Sequence, residues 1–178
     1  MDILMLRHTR PDIAPGICYG QTDLDLADSF EREADQVLRS LPAFSAIVSS
    51  PLRRCRKLAD LIADRYQQSI RIEPRLAEMD FGRWEGVAWN DIPRGELDQW
   101  AEDFSQARPH GGESVSALKA RVEDALADIR MRQAPTLIVT HAGVIRAALA
   151  QGPEAHHFQT QVEFGEVIRL PDSEEEHP

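Results

Sequence analysis

The sequence predicts a single α/β domain built on a mostly parallel central sheet. Three observations carry this. Short apolar runs at 3–6, 46–48 and 136–140 are too brief for helices and read as strands buried on both faces. Between them lie longer segments whose apolar residues recur at helical spacing, the alternation expected of strand–helix–strand units. The chain has 178 residues, 42% of them hydrophobic, enough for one well-filled core and not for two.

The first strand ends abruptly in Arg7-His8. Open α/β sheets place their ligand crevice at the carboxyl ends of central strands. Arginine brings a planar fork of donors suited to phosphate or carboxylate. Histidine is the side chain most readily used as nucleophile or proton carrier near neutral pH. Residues 11–28 then read as a long loop, with Pro11, Pro15, Gly16 and Gly20 among polar residues. Such a segment directly after a buried strand often carries function. Ser29 is placed to cap a helix with the stripe Phe30, Ala34, Val37, Leu38 and Leu41, which Pro42 stops.

The second strand, 46–48, runs into Ser49-Ser50-Pro51. A helix over 52–66 follows from the spacing of Leu52, Cys55, Leu58, Ala59, Leu61 and Ile62, with Ser50 as N-cap and Pro51 in the first turn. Arg53, Arg54 and Arg56 sit at its start, where cations oppose the helix dipole. An anion at that N-terminus would offset them. Residues 70–72 read as a third strand. Residues 76–86, with two glycines and two aromatics, read as an ordered loop. Residues 89–104 read as one helix with Leu97, Trp100, Ala101 and Phe104 on a face. After a break at 109–114, Ser114 or the preceding glycine opens a helix to about 130, with the stripe Val115, Leu118, Val122, Ala125, Leu126 and Ile129. Strand 136–140 ends, like the first, in a histidine, His141. A short helix over 144–150 and a last strand within 164–170 complete the domain, 1–170, and 171–178 reads as an acidic, frayed tail.

The formal net charge of −10 argues against nucleic acid or an anionic membrane as the main partner. An anionic substrate then needs a local cluster of cations. Cys18 and Cys55 have no ligand or redox spacing. No stretch approaches the roughly 20 apolar residues of a membrane span, and no signal-peptide pattern opens the chain. Free thiols in the cytoplasm are the simplest reading.

If the strand ends are neighbours, they collect two histidines, at least two arginines and, from the 76–86 loop, a carboxylate at Glu78. That set suits phosphoryl transfer, with arginines on the phosphoryl oxygens, an imidazole attacking phosphorus and a carboxyl group protonating the leaving oxygen. No metal and no cofactor are required if the arginines carry the charge.

Here a resemblance becomes specific. Leu6-Arg7-His8-Thr9 resembles the Arg-His-Gly motif of the histidine phosphatase (phosphoglycerate mutase-like) superfamily. Ser49-Ser50-Pro51-Leu52-Arg53-Arg54 resembles its second motif, where a serine precedes the phosphate-binding arginine by four residues and so selects Arg54. Leu76 to Gly86 resembles the general-acid segment, with the acid at Glu78. Gly111-Gly112-Glu113-Ser114 and Thr140-His141-Ala142-Gly143 resemble the family's Gly-Glu-Ser helix start and second histidine. Together they span about 3–170, in the family's order.

The resemblance implies a three-layer α/β/α fold and catalytic roles for His8, Glu78 and His141. It implies phosphate binding by Arg7, Arg54 and the backbone amide near Ala142, and substrate contact from Tyr19, Gly20 and Gln21. The partner implied is a small-molecule phosphomonoester, with a homodimer left open. Thr9 stands where the family usually has glycine, and Arg10-Pro11 replace an acidic and hydroxyl pair, so the loop after His8 is expected to take a different path. The short gap between Gly86 and Gly111 argues for an open site that admits water, hence a phosphatase, and the 78–85 stretch looks most like the α-ribazole-5′-phosphate phosphatases. A mutase-type isomerase and a non-catalytic phospho-ligand binder are the alternatives. Asp80 and Glu85 rival Glu78. Phe81 and Trp84 read as loop core, His110 as a surface residue, and His156-His157 as packing or surface residues with no metal role.

Overall fold

The computed structural model describes residues 2–171. Its centre is a five-stranded sheet of β1 (Ile3–Arg7), β2 (Ala46–Ser49), β3 (Ile70–Ile72), β4 (Thr136–Thr140) and β5 (Val167–Arg169), in the order β3-β2-β4-β1-β5. All pairings are parallel except β1 with β5. Helices α1 (Phe30–Ser40) and α2 (Arg53–Tyr66) cover one face; α4 (Val115–Arg130) and α5 (Ala142–Leu149) cover the other; α3 (Arg94–Glu102) belongs to an excursion after β3. Strand alternation divides the core. Leu4, Leu6, Ile47, Leu137 and Val139 meet α1 and α2, whereas Ile3, Met5, Val48 and Ile138 meet α4 and α5. This is the three-layer arrangement expected. The tail expected at 171–178 lies, from 172 on, outside the described residues.

The local expectations met mixed outcomes. Ser114 caps α4, its Oγ accepting the Ala117 N–H at 3.1 Å. Ser29 stands at the start of α1 but makes no capping bond, and its hydroxyl donates to Glu33 at 2.6 Å instead. Helix α2 begins at Arg53, with extended Leu52 at the N-cap position in place of Ser50. The expected helix over 89–104 is two pieces, a 3₁₀ turn at Trp89–Asp91 and α3. Pro93 divides them, because proline disfavours helical geometry in the residue before it and removes a donor. Helix α5 starts at Ala142, two residues earlier than expected.

Register places the site. Arg7 pairs with Thr140 across β1 and β4, and the His8 N–H donates to the Thr140 carbonyl at 3.0 Å. The Ser50 N–H reaches Val139 O at 3.0 Å. Three chain ends therefore leave the sheet side by side.

Candidate active site

His8 is 1% exposed and lines a cleft of about 230 Å³ at this sheet edge. Its Nδ1 lies 2.6 Å from the Thr9 carbonyl, and its Nε2 lies 3.3 Å from Arg54 Nε. A carbonyl can only accept, so Nδ1 carries the hydrogen and Nε2 holds the lone pair. Residue 9 has no positive φ, so threonine adopts its backbone geometry without strain; its Oγ1 is buried with no partner among the described residues.

Arg54 is fully buried. Its guanidinium donates to Thr22 O at 2.9 Å and Gly20 O at 2.6 Å, besides pointing Nε at His8. Arg7 lies with its guanidinium carbon 3.8 Å from the Phe164 ring centre and donates Nη1 to Val162 O at 2.6 Å. His141 is fully buried, its ring centre 5.2 Å from that of His8. Ser50 Oγ sits 2.7 Å from His141 Nε2, which is why that serine is not spent on capping α2. The α2 N-terminus is instead met by Asp23, whose carboxylate accepts the Arg53 N–H at 2.7 Å. The anion expected there comes from the chain's own loop.

Glu78 is fixed at both oxygens. Oε1 accepts the Met79 N–H at 2.9 Å, and Oε2 accepts the Gly143 N–H, in the first turn of α5, at 3.1 Å. Arg121 holds the same segment by donating to the carbonyls of Arg75, Ala77 and Glu78 while paired with Glu113. A Cβ on residue 143 would meet Glu78 Oε1 at 2.2 Å, so glycine is required for the approach. Gly143→Ala is expected to push the carboxylate aside and lower kcat/KM by about 100-fold, since displacements near 1 Å cost that much. Equal activity of this variant would show that Glu78 is not needed where it stands.

The rivals of Glu78 have structural duties. Glu85 accepts from the N–H groups of Gly20, Gln21, Thr22 and Phe81 and from the Thr22 hydroxyl, organising the loop that holds Arg54. Asp80 accepts the Gly82 N–H at 2.8 Å. Of the three loop residues expected at the substrate, Tyr19 lines the cleft. Gly20 is buried, its carbonyl on Arg54 and its α-carbon against Met79 O, leaving no room for a side chain. Gln21 lines a separate depression with Arg75 and Arg121. Ala142, the first residue of α5, also lines the cleft. His110 is a correction. It is 1% exposed, packs its ring 4.9 Å from Trp84 and accepts the Gly112 N–H on Nδ1. Trp84 is core, as expected, but Phe81 also lines the cleft, with Ile17, Trp89 and Arg146, which sequence reasoning did not single out.

Burial pushes the His8 imidazole well below its usual 6.5, and the Arg54 charge adds to this against the opposing Thr9 bond. His141 is lowered well below 6.5 for the same first reason, then by Arg54 and His8. Both rings are thus neutral in the folded chain at neutral pH. The sign for stability follows. Below 6.5 the unfolded chain takes up protons that the folded chain refuses, so stability falls as pH drops. Each ring is expected to contribute a slope of up to about 1.4 kcal/mol per pH unit there. Urea unfolding at about pH 7.5 and 5.5 measures it; a flat profile would contradict two buried neutral imidazoles.

Comparison with known proteins identifies the family. The histidine phosphatase superfamily (branch 1) matches residues 3–169. The chain belongs to that superfamily. It is 31% identical over 164 residues to the glucosyl-3-phosphoglycerate phosphatase of Mycolicibacterium vanbaalenii, covering 83% of this chain and 72% of that one. It is 30% identical over 182 residues to the adenosylcobalamin/alpha-ribazole phosphatase of Salmonella typhimurium, covering 93% and 87%. The crystal structure of the alpha-ribazole phosphatase from Shigella flexneri superposes with a TM-score of 0.83 at 26% identity, covering 98% and 92%. This superfamily member is a phosphatase.

Proposed function

We propose that the phosphatase hydrolyses a small phosphomonoester through a phosphohistidine on His8, with α-ribazole 5′-phosphate as the candidate substrate. The observation that carries the chemistry is the pinned His8 ring, whose Nδ1 hydrogen is held by Thr9 and whose Nε2 lone pair faces Arg54. A phosphoryl group arriving at Nε2 takes the Arg54 N–H onto its own oxygen. Arg7 and the α5 N-terminus at Ala142 add charge and donors on the other side, and His141 completes the pocket. These groups neutralise the charge that develops on the phosphoryl oxygens.

The ester P–O bond breaks as the Nε2–P bond forms. Glu78 gives a proton to the departing alcohol oxygen, later accepts one from water, and that water breaks the Nε2–P bond to release phosphate. The arginines bear the phosphoryl charge without a metal in this scheme. α-Ribazole 5′-phosphate is favoured because this chain spans most of the alpha-ribazole phosphatase it resembles.

The test is phosphate release from α-ribazole 5′-phosphate, phosphoserine, 3-phosphoglycerate and p-nitrophenyl phosphate with a chelator present. Release that survives chelation, fastest per KM on α-ribazole phosphate, is the expected result. Preference for phosphoserine or 3-phosphoglycerate would sink the substrate assignment. Phosphate returned to 3-phosphoglycerate in a primed assay would make the enzyme a mutase.

A further inference from the structure

Besides the reacting groups, the cleft is lined by side chains from two distant segments. The first loop pairs with the stretch after Trp84. Ile17 forms an antiparallel bridge with Ala88. Around it, Cys18 N–H reaches Val87 O at 2.8 Å, Gly86 N–H reaches Cys18 O at 2.8 Å, and Trp89 N–H reaches Gly16 O at 2.9 Å. Successive side chains on such a ribbon point to opposite sides. Cys18 enters a buried cluster with Trp84 and Ile92, while Ile17 and Tyr19 line the cleft.

Phe81 and Trp89 line it too, edge to face at 5.7 Å. Trp89 is braced from behind, within 15° of parallel to Trp100 and 6.1 Å from buried Trp84. The wall is therefore held in place while its front stays half-buried. The cleft joins arginine and imidazole to an apolar wall of Ile17, Phe81 and Trp89, with Tyr19 between them, its hydroxyl bonded to Arg7 and its ring 5.3 Å from the Arg54 guanidinium. Ligand sites are built this way, with apolar walls for bulk and a few polar groups for anchoring.

We propose that Ile17 and Trp89 determine specificity for the alcohol half of the ester, receiving a flat aromatic group carried on it. This rests on the phosphatase reading above and names its substrate class. The competing chemistry is a carboxylate held by Arg146, which also lines the cleft. Its Nε is committed to the Thr160 carbonyl at 2.9 Å, and a carboxylate would leave the apolar faces of Ile17, Phe81 and Trp89 without a contact.

The test compares α-ribazole 5′-phosphate with ribose 5-phosphate, which share the phosphorylated pentose and differ in the base. The ratio of their kcat/KM values on one preparation is independent of the folded fraction. Stacking of one base on an aromatic side chain contributes roughly 10- to 100-fold, so the ratio is expected to be at least about 10 and to fall by about that factor in Trp89→Ala. Ile17→Ser, on the facing strand, is expected to lower it as well. A ratio near one in the unsubstituted enzyme, or one that neither substitution moves, overturns the assignment. So does a loss confined to phosphoserine turnover in Arg146→Met, which would give this part of the cleft to a carboxylate. Hydrolysis of neither ester would overturn the phosphatase reading alone. The wall is then judged by binding: α-ribazole that quenches tryptophan fluorescence, except in Trp89→Phe, upholds it, and no quenching overturns it.

Discussion

His8→Ala is expected to lower kcat/KM for phosphomonoesters by on the order of 10⁴-fold or more, because removing a nucleophile removes the covalent route itself. The chain should still fold. The backbone of residue 8 stays on β4 through its N–H to Thr140, and Arg54 keeps its bonds to Gly20 and Thr22. The lost ring leaves a cavity and one unmade hydrogen bond, about 1–3 kcal/mol together. The variant also removes one of the two rings that refuse protons, so its stability should depend less on pH below 6.5 than that of the unsubstituted chain. Phosphate release, thermal melting and an acid-labile phosphoenzyme trapped in alkali separate these effects. A phosphoenzyme that persists in His8→Ala would move the nucleophile elsewhere, with His141 the next imidazole.

What could be read from the sequence was whatever a residue does with its near neighbours. His8 and His141 were visible because each ends a short apolar run, and parallel pairing of those runs brings such ends together. That residues 3–6 are buried on both faces was equally legible, because the run is apolar throughout; which helices Leu4 and Leu6 meet, and which Ile3 and Met5 meet, is tertiary. Pro93 is local too, but the apolar spacing of 89–104 predicts one helix, and the proline's power to break a helix outweighs that spacing. Ser50 was not legible. As an isolated residue it reads as an N-cap, and only a contact across 91 positions, to His141, reassigns its hydroxyl. Asp23 is similar, capping α2 from 30 residues away. The bridge between Ile17 and Ala88 has no periodic signature at all, so the apolar wall of the cleft could be found only in three dimensions. Glu78 lies between these cases. Its motif position singled it out, but the reason it succeeds over Glu85 is tertiary: Gly143 opens a place for its carboxylate, while Glu85 is occupied by five donors.

Arg54 is where structure and chemistry are hardest to separate, and the second large effect is expected there. Arg54→Met should lower kcat/KM by about 10³-fold, in the range found for arginines that neutralise a transferring phosphoryl group. The loss should fall mainly on kcat, since the guanidinium meets most charge in the transition state. Arg54→Lys should recover little. A lysine has one point of charge, whereas Arg54 reaches Thr22 O, Gly20 O and His8 Nε2 at once with a planar fork. Arg54→Met also leaves the buried Gly20 carbonyl without its Arg54 donor, a destabilisation of about 1–3 kcal/mol that a melt will show. That structural loss alone would reduce the amount of active enzyme without changing the kcat of the folded fraction. Active-site titration by phosphoenzyme burst therefore decides between the roles. A kcat per active site equal to that of the unsubstituted enzyme would make Arg54 a clamp on the first loop, and Arg7 would then have to carry the phosphoryl charge without it.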